Sequence, residues 1–177
     1  MKKLILGSAI VAILGVASNA MAAPNGGTVN FTGSVSTATC NLSLKDNAGG
    51  DISNVNLGVL SSSSTTNGTA VQFKLVPQDP SCLAKTSANV AWSSPTLSAA
   101  GISNATTNGT NAYLLVAATN ATQRGSLAVL KQGQTSFDYT VQGGISSFDY
   151  NAALAKPTAA LTAGVFNASA SYIVTYK

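Results

Sequence analysis

The sequence of 177 residues contains nine basic and five acidic side chains, no histidine, and 45% hydrophobic residues. Without histidine, the usual proton acceptor of a serine or cysteine nucleophile is missing, and two cysteines with five scattered aspartates form no metal-ligand cluster. A formal net charge of +4 without a basic run argues against nucleic acid as a partner. The composition therefore predicts neither an enzyme nor a protein that binds a metal or cofactor.

The first 22 residues have the pattern of a secretory signal peptide. Lys2 and Lys3 precede an apolar run over 4–16, and Ala20-Met21-Ala22 has the small residues of a cleavage site. The apolar run is too short to span a membrane as a helix. We therefore predict that residues 1–22 are removed and that the chain is exported. Loss of Lys2 and Lys3 lowers the formal net charge from +4 to +2.

Export also bears on Cys40 and Cys82, the two cysteines of the chain. In an oxidising compartment one disulfide between them is the expected state, with two free thiols as the alternative. A disulfide across a loop of about 40 residues stabilises the folded state by roughly 4 kcal/mol in the chain-entropy model.

The first predicted strand begins at Thr28 and alternates between apolar and polar residues. Its apolar side changes parity after Val35, where a second set of alternating residues takes over, namely Ala38, Cys40, Leu42 and Leu44. A β-bulge explains such a switch. So does a boundary between two strands that belong to different sheets, or to different molecules.

Further short strands follow along the chain, separated by turn residues. The apolar alternation indicates them at 55–59, 71–75, 90–92, 113–118, 127–130, 137–141 and 148–154. The continuous apolar run at 113–118 predicts a strand buried on both faces, Trp92 is expected in the core, and the polar stretch 98–111 is expected to be a loop. Because no helical period persists, the pattern predicts an all-β sandwich.

The last predicted strand is the longest, and it ends the chain at Lys177. Gly164 begins it, and one parity carries only apolar or aromatic residues: Phe166, Ala168, Ala170, Tyr172, Val174 and Tyr176. Successive side chains of a strand point to opposite faces, so these six share one face. The strand is either an ordinary last strand of a sandwich or a recognition strand.

At this point the chain resembles the pilin subunits of Gram-negative chaperone–usher fimbriae. The residues that carry the resemblance are those at 26–35 and 33–42, Val55-x-Leu57-Gly58-x-Leu60, Phe73-x-Leu75 before Cys82, and the spacing of Gly164 and Tyr176 from the C-terminus. The segment 148–154 and the final Val-Thr-Tyr-Lys are especially similar to the major subunit of F18-type fimbriae. The segment 76–81, with two prolines, places Cys82 further from its strand than is usual in the family.

The resemblance implies an incomplete immunoglobulin-like sandwich that lacks its last strand. It divides the chain into a signal peptide (1–22), an N-terminal donor-strand extension (23–36) and a pilin domain (37–177). The implied donor residues are Gly27, Val29, Phe31 and Gly33, with Val35 near the hinge. The implied strand beside the groove, which a chaperone also uses, comprises Gly164, Phe166, Ala168, Ala170, Tyr172, Val174, Tyr176 and Lys177.

The resemblance further implies a structural subunit of a fimbrium that polymerises head to tail and supports adhesion to host surfaces. Its partners would be a periplasmic pilus chaperone, an outer-membrane usher and other pilin subunits, with export through the periplasm to the cell surface. A secreted or tip-located carbohydrate-binding adhesin is the alternative. Contact of the subunit itself with a host receptor stays open, and the loop 98–111 would be the candidate surface.

Overall fold

A computed structural model describes the backbone of residues 27–31 and the chain from 40 to 177. The predicted signal peptide 1–22, Gly33, Val35 and the predicted boundary between residues 36 and 37 lie outside the described residues. In the described ranges, no helix combines the length and the apolar character needed to cross a membrane.

The described chain is almost entirely β and forms two sheets of five strands each. The first sheet consists, in spatial order, of β3 (Asn54–Asn56), β1 (Gly27–Phe31), β10 (Phe166–Tyr176), β5 (Ser87–Ser93) and β8 (Ser136–Thr140). The second consists of β2 (Leu42–Asp46), β4 (Val71–Pro77), β9 (Phe148–Ala155), β7 (Tyr113–Ala118) and β6 (Ile102–Ser103). Neighbouring strands are antiparallel except for β1 and β10, which run parallel. The predicted all-β, immunoglobulin-like sandwich is confirmed.

Two short helical turns depart from the strand-only prediction. A four-residue α-helix, α1, spans Pro80–Leu83, and a 3₁₀ turn spans Gly125–Ala128. Proline suits the first position of a helix because its ring fixes φ and its missing N–H needs no partner there. The predicted strand at 127–130 is wrong, since only Val129 in that range makes a β-bridge, to Ala117.

The helix α1 brings the two cysteines together. Cys40 and Cys82 form a disulfide with a Cα–Cα distance of 6.0 Å, as the sequence predicts. Two hydrogen bonds fix the neighbouring backbone, because the Asn41 amide donates to Asp79 Oδ2 at 2.9 Å and the Gln78 amide donates to the Asn41 carbonyl at 2.9 Å. The extra residues before Cys82 therefore form the helical turn that returns the chain to Cys40.

Aromatic side chains from both sheets meet in the centre of the sandwich. Trp92 of β5 contacts Tyr172 of β10 and, across the core, Tyr150 of β9, with ring centroids 5.3 and 5.1 Å apart. Tyr150 in turn stacks on Phe73 of β4 at 5.3 Å. The Trp92 indole N–H donates to the Tyr150 hydroxyl at 3.1 Å. The indole N–H and the hydroxyl therefore both have a hydrogen-bond partner within the core. The core position expected for Trp92 is confirmed.

The burial of β7 differs from the sequence prediction. Leu114, Val116 and Ala118 are buried, whereas Tyr113, Leu115 and Ala117 are only partly covered. An antiparallel sheet in a two-layer sandwich has one face toward the core and the other toward solvent. The apolar run therefore marks one buried face and not two.

We expect that replacing both Cys40 and Cys82 by alanine lowers the free energy of unfolding by about 4 kcal/mol, because the disulfide closes a 42-residue separation in the unfolded chain. Urea denaturation of wild type and the double variant measures this difference. Reduced wild-type protein is the matched control and should lose a similar amount. Equal midpoints for all three samples would contradict the expectation.

Candidate functional site

The last strand, β10, has the alternation that the sequence predicts. Phe166, Ala168, Ala170, Tyr172 and Val174 are buried and Tyr176 is half-buried, whereas the intervening residues are exposed or partly so. Burial raises the pKa of the Tyr172 hydroxyl, and it raises the pKa of Tyr176 to about 12. The aromatic residues of this face therefore serve as neutral packing groups at physiological pH.

The first half of β10 pairs with β1, which comes from the N-terminal part of the same chain. The register aligns Gly27 with Phe166 and Phe31 with Ala170 in a parallel ladder. On its other side β1 pairs antiparallel with β3, where Val29 is opposite Val55. The strand β1 thus lies between β3 and β10 and joins β3 to the rest of the first sheet.

The register of β1 and β10 matches small residues with large ones. Gly27 is opposite Phe166, Val29 is opposite Ala168, and Phe31 is opposite Ala170. These β10 partners and Val55 of β3 are buried in the core. Three of the four predicted donor residues therefore hold register positions beside core-facing residues, and the fourth, Gly33, lies outside the described residues.

On the side of β10 that faces away from β1, the loop that joins β6 to β7 holds the start of the strand. The Asn104 side-chain amide donates to the carbonyls of Thr110 and Val165 at 2.9 and 2.8 Å. Its oxygen accepts from the amides of Thr106 and Asn167 at 3.0 and 2.9 Å. Two of these four bonds therefore join the loop 98–111 to the start of β10, and the other two stabilise the loop itself. Sequence reasoning missed this residue, because one asparagine among many in a polar loop has no distinguishing spacing.

Gly164 is required where the chain enters β10. Its φ of +153° lies in a region that other residues rarely adopt, and a Cβ there would lie 2.6 Å from the Thr110 amide nitrogen and 2.7 Å from the Gly109 carbonyl carbon. The loop and the start of the strand therefore approach each other at Gly109 and Gly164, two residues without a side chain. This close approach gives a physical reason for glycine at the position that the sequence signature marks.

The C-terminal end of β10 lies next to the disulfide. Tyr176 pairs with Ala88 of β5, and the Lys177 amide donates to the Ser87 carbonyl at 2.9 Å. Only the turn after α1 separates Ser87 from Cys82, and the Lys85 amide closes that turn by donating to the Cys82 carbonyl at 3.1 Å. The disulfide therefore anchors Cys40, where the described domain begins, at the C-terminal end of β10.

A second asparagine of the polar loop 98–111, Asn111, is also hydrogen-bonded to backbone groups of the same chain. The Asn111 side chain donates to the Ala160 carbonyl and accepts from the Thr162 amide, both at 2.9 Å. Together with Asn104, it connects the loop 98–111 to the segment before β10. Within the described residues, no three His, Cys, Asp or Glu side chains are grouped to hold a metal ion.

We expect Asn104→Ala to lower the free energy of unfolding by roughly 2–4 kcal/mol, because four hydrogen bonds of about 1 kcal/mol each are lost. Asn104→Asp is the matched control, since it keeps an acceptor oxygen but cannot make the two donated bonds. Urea unfolding followed by Trp92 fluorescence measures both. An Asp variant as stable as wild type would show that the donated bonds do not hold the loop.

Comparison with known proteins places the chain in a family. No family model matches the sequence. The K99 fimbrial protein of Escherichia coli is 36% identical to it, over 99% of this chain and 99% of that protein. Identity at this level along the whole chain shows common descent, and it confirms the predicted resemblance to fimbrial subunits, while the closer similarity to F18-type fimbriae stays a prediction. The chain belongs to the chaperone–usher fimbrial subunits, the structural proteins of surface-exposed bacterial fimbriae.

Proposed function

We propose that this fimbrial subunit polymerises head to tail by exchange of its N-terminal strand. The segment from Gly27 to Gly33 of one subunit would fill the place between β3 and β10 of the next. The observation that carries this proposal is the position of β1 between β3 and β10 in the first sheet, although β1 comes from the N-terminal part of the chain.

The physical argument concerns unpaired strand edges. If β1 left its place, the backbone of β10 from Phe166 to Ala170 and the backbone of β3 would both lose their ladder partners. Exposed edges of this kind are templates for strand addition, and chaperone–pilin complexes are an example of it. Membership of this chain in the fimbrial family supports the proposal. A head-to-tail contact that does not close produces a filament.

The same proposal covers the partners and the location of the subunit. Export through the periplasm would require a chaperone that covers the open edge and an outer-membrane usher that passes the subunit to the growing fibre. Identical or related subunits would then be its permanent neighbours. In this role the chain is structural and carries out no enzymatic reaction.

As part of the fimbrial shaft, the subunit would support adhesion to host surfaces. The alternative of a carbohydrate-binding adhesin gains no specific support from the polar loop 98–111. Its Asn104 and Asn111 side chains are committed to backbone groups of the same chain. We therefore propose no glycan site there.

We expect Phe31→Asp to block polymerisation without blocking export. An unpaired carboxylate placed against the apolar face of β10 costs several kcal/mol, which corresponds to far more than a tenfold loss of strand binding. Asn30→Asp is the matched control, because it adds the same charge at the neighbouring position of opposite parity. Fibres sheared from cells and separated on a non-reducing gel give the readout. A normal ladder of multimers from the Phe31 variant would refute the exchange.

We expect Tyr176→Ser, and likewise deletion of Lys177, to lower the periplasmic yield several-fold when the chaperone is co-expressed. The Tyr176 ring packs against Phe148, with centroids 6.1 Å apart, at the strand end that a chaperone would capture. Tyr176→Phe keeps the ring and should keep the yield. Unfolding of the purified variants separates lost capture from lost stability, and an unchanged yield of the serine variant would count against the proposed capture.

A further inference from the structure

The outer face of strands β10, β5 and β8, called the neutral face below, has an exposed apolar residue at its centre. The residue is Ile173 of β10, which is 51% exposed. Among the described residues, it is the one exposed large apolar side chain that lies within a strand. It pairs with Ala91 of β5, and Ala91 pairs with Ser136 of β8. The neighbouring side chains in this row are small, so they leave the isoleucine open to another molecule.

The neutral face carries almost no charge. Its three strands contain one charged residue between them, Asp138 of β8. The two carboxylate oxygens of Asp138 accept hydrogen bonds from the side chains of Asn89 and Gln123, at 2.9 and 3.0 Å. Beside Ile173, the hydroxyls of Ser93 and Ser171 share a hydrogen bond of 2.8 Å. Because hydroxyl and amide groups both donate and accept, such a face complements a second copy of itself.

The outer face of the second sheet differs in this respect. Lys45 of β2 pairs with Lys74 of β4, and Lys74 pairs with Asp149 of β9, so charged residues form a row across that sheet. A contact there would take charged groups out of water, which costs more free energy than burying amides and hydroxyls that find partners. Of the two sheet faces, the neutral face is therefore better suited to contact with another copy of the chain.

The size of the neutral face limits the strength of such a contact. Three strands about 4.8 Å apart, paired over about six residues, cover roughly 300 Å². A stable interface between two proteins buries about 800 Å² on each partner. Two free subunits are therefore expected to remain separate. Along a fibre the same face recurs on every subunit, so many weak contacts act together once two fibres lie side by side.

We propose that the neutral face around Ile173 binds the same face of a second copy in a neighbouring fimbria, and that this contact bundles fimbriae side by side. A contact between identical faces relates two copies by a two-fold axis, whereas all subunits of a head-to-tail fibre point the same way. The second copy therefore belongs to another fibre. This inference rests on the proposed head-to-tail order of the fibre and adds an interaction between fibres to it.

The experiment compares wild-type fibres with purified fibres of the variants Ile173→Lys, Ile173→Asp and Val165→Lys. Val165 is the matched position, because it is also 51% exposed and lies directly before β10, outside the neutral face. The two lysine variants have the same net charge. The ladder of multimers on a gel measures polymerisation, whereas electron micrographs and low-speed sedimentation at low ionic strength measure bundling.

All of these fibres are expected to give the same ladder. Wild-type and Val165→Lys fibres should bundle, whereas each Ile173 variant alone should stay as single fibres, with a several-fold loss of sedimented protein. A mixture of Ile173→Lys and Ile173→Asp fibres should bundle again, because opposite charges then meet across the contact. Added salt should separate this mixture, since it screens exposed charges.

A further variant, Ile173→Thr, keeps a β-branched residue in the strand and adds no charge. It is expected to weaken bundling, and it tests the contact even if the charged variants fail to fold. Bundling of Ile173→Thr fibres equal to that of wild type would refute the contact.

The remaining outcomes each contradict the proposal for a different reason. Single wild-type fibres would show that no such contact exists, and equal loss of bundling in Val165→Lys would show that net charge alone separates fibres. A mixture that stays unbundled would show that the face does not meet its own copy. Exported Ile173 variants without a ladder would place the face inside the fibre. Absence of the ladder from wild type would instead refute the polymerisation on which the inference rests.

Discussion

The backbone pairing of β1 with β3 on one side and β10 on the other is the constraint on which the first sheet depends. The three-residue strand β3 has β1 as its neighbour in the sheet and reaches the remaining strands through it. Val55 of β3 and Phe166 of β10 are both almost fully buried beside this pairing. Under the proposed exchange, the strand of a neighbouring subunit would take the place of β1 in this pairing.

The strand β10, which lies beside β1, is held at both of its ends. At its start, Asn104 and the glycine contact at Gly164 hold the strand to the loop before β7. At its end, the pairing with β5 and the nearby disulfide hold it beside Cys40. Between these points β10 is one continuous strand from Phe166 to Tyr176.

Charge contributes little to this architecture. The one ion pair of the described residues joins Lys45 and Asp51 at 2.9 Å on the surface, where such a pair contributes at most about 1 kcal/mol. The pKa of Asp138 is lowered chiefly by hydrogen bonds from Asn89 and then Gln123, and the charge of Lys177 is the smallest contribution. Backbone ladders, the aromatic core and the disulfide hold the fold instead, and the resulting surface of amides and hydroxyls allows close contact between subunits without like-charge repulsion.

The sequence alone determined two kinds of feature, namely strands with alternating apolar residues and the disulfide between the two cysteines. Alternation placed the apolar residues from Phe166 to Val174 on the buried face of one strand, and two cysteines in a chain predicted to be exported indicated their disulfide. What it could not provide depends on contacts between distant residues. The four bonds of Asn104, the helical turn that carries Cys82 and the loss of the expected strand at 127–130 have no local signal. The parallel pairing of β1 with β10 likewise joins residues about 140 positions apart in the sequence, so only the tertiary structure decided it, because alternation within a strand carries no information on the direction of its neighbour.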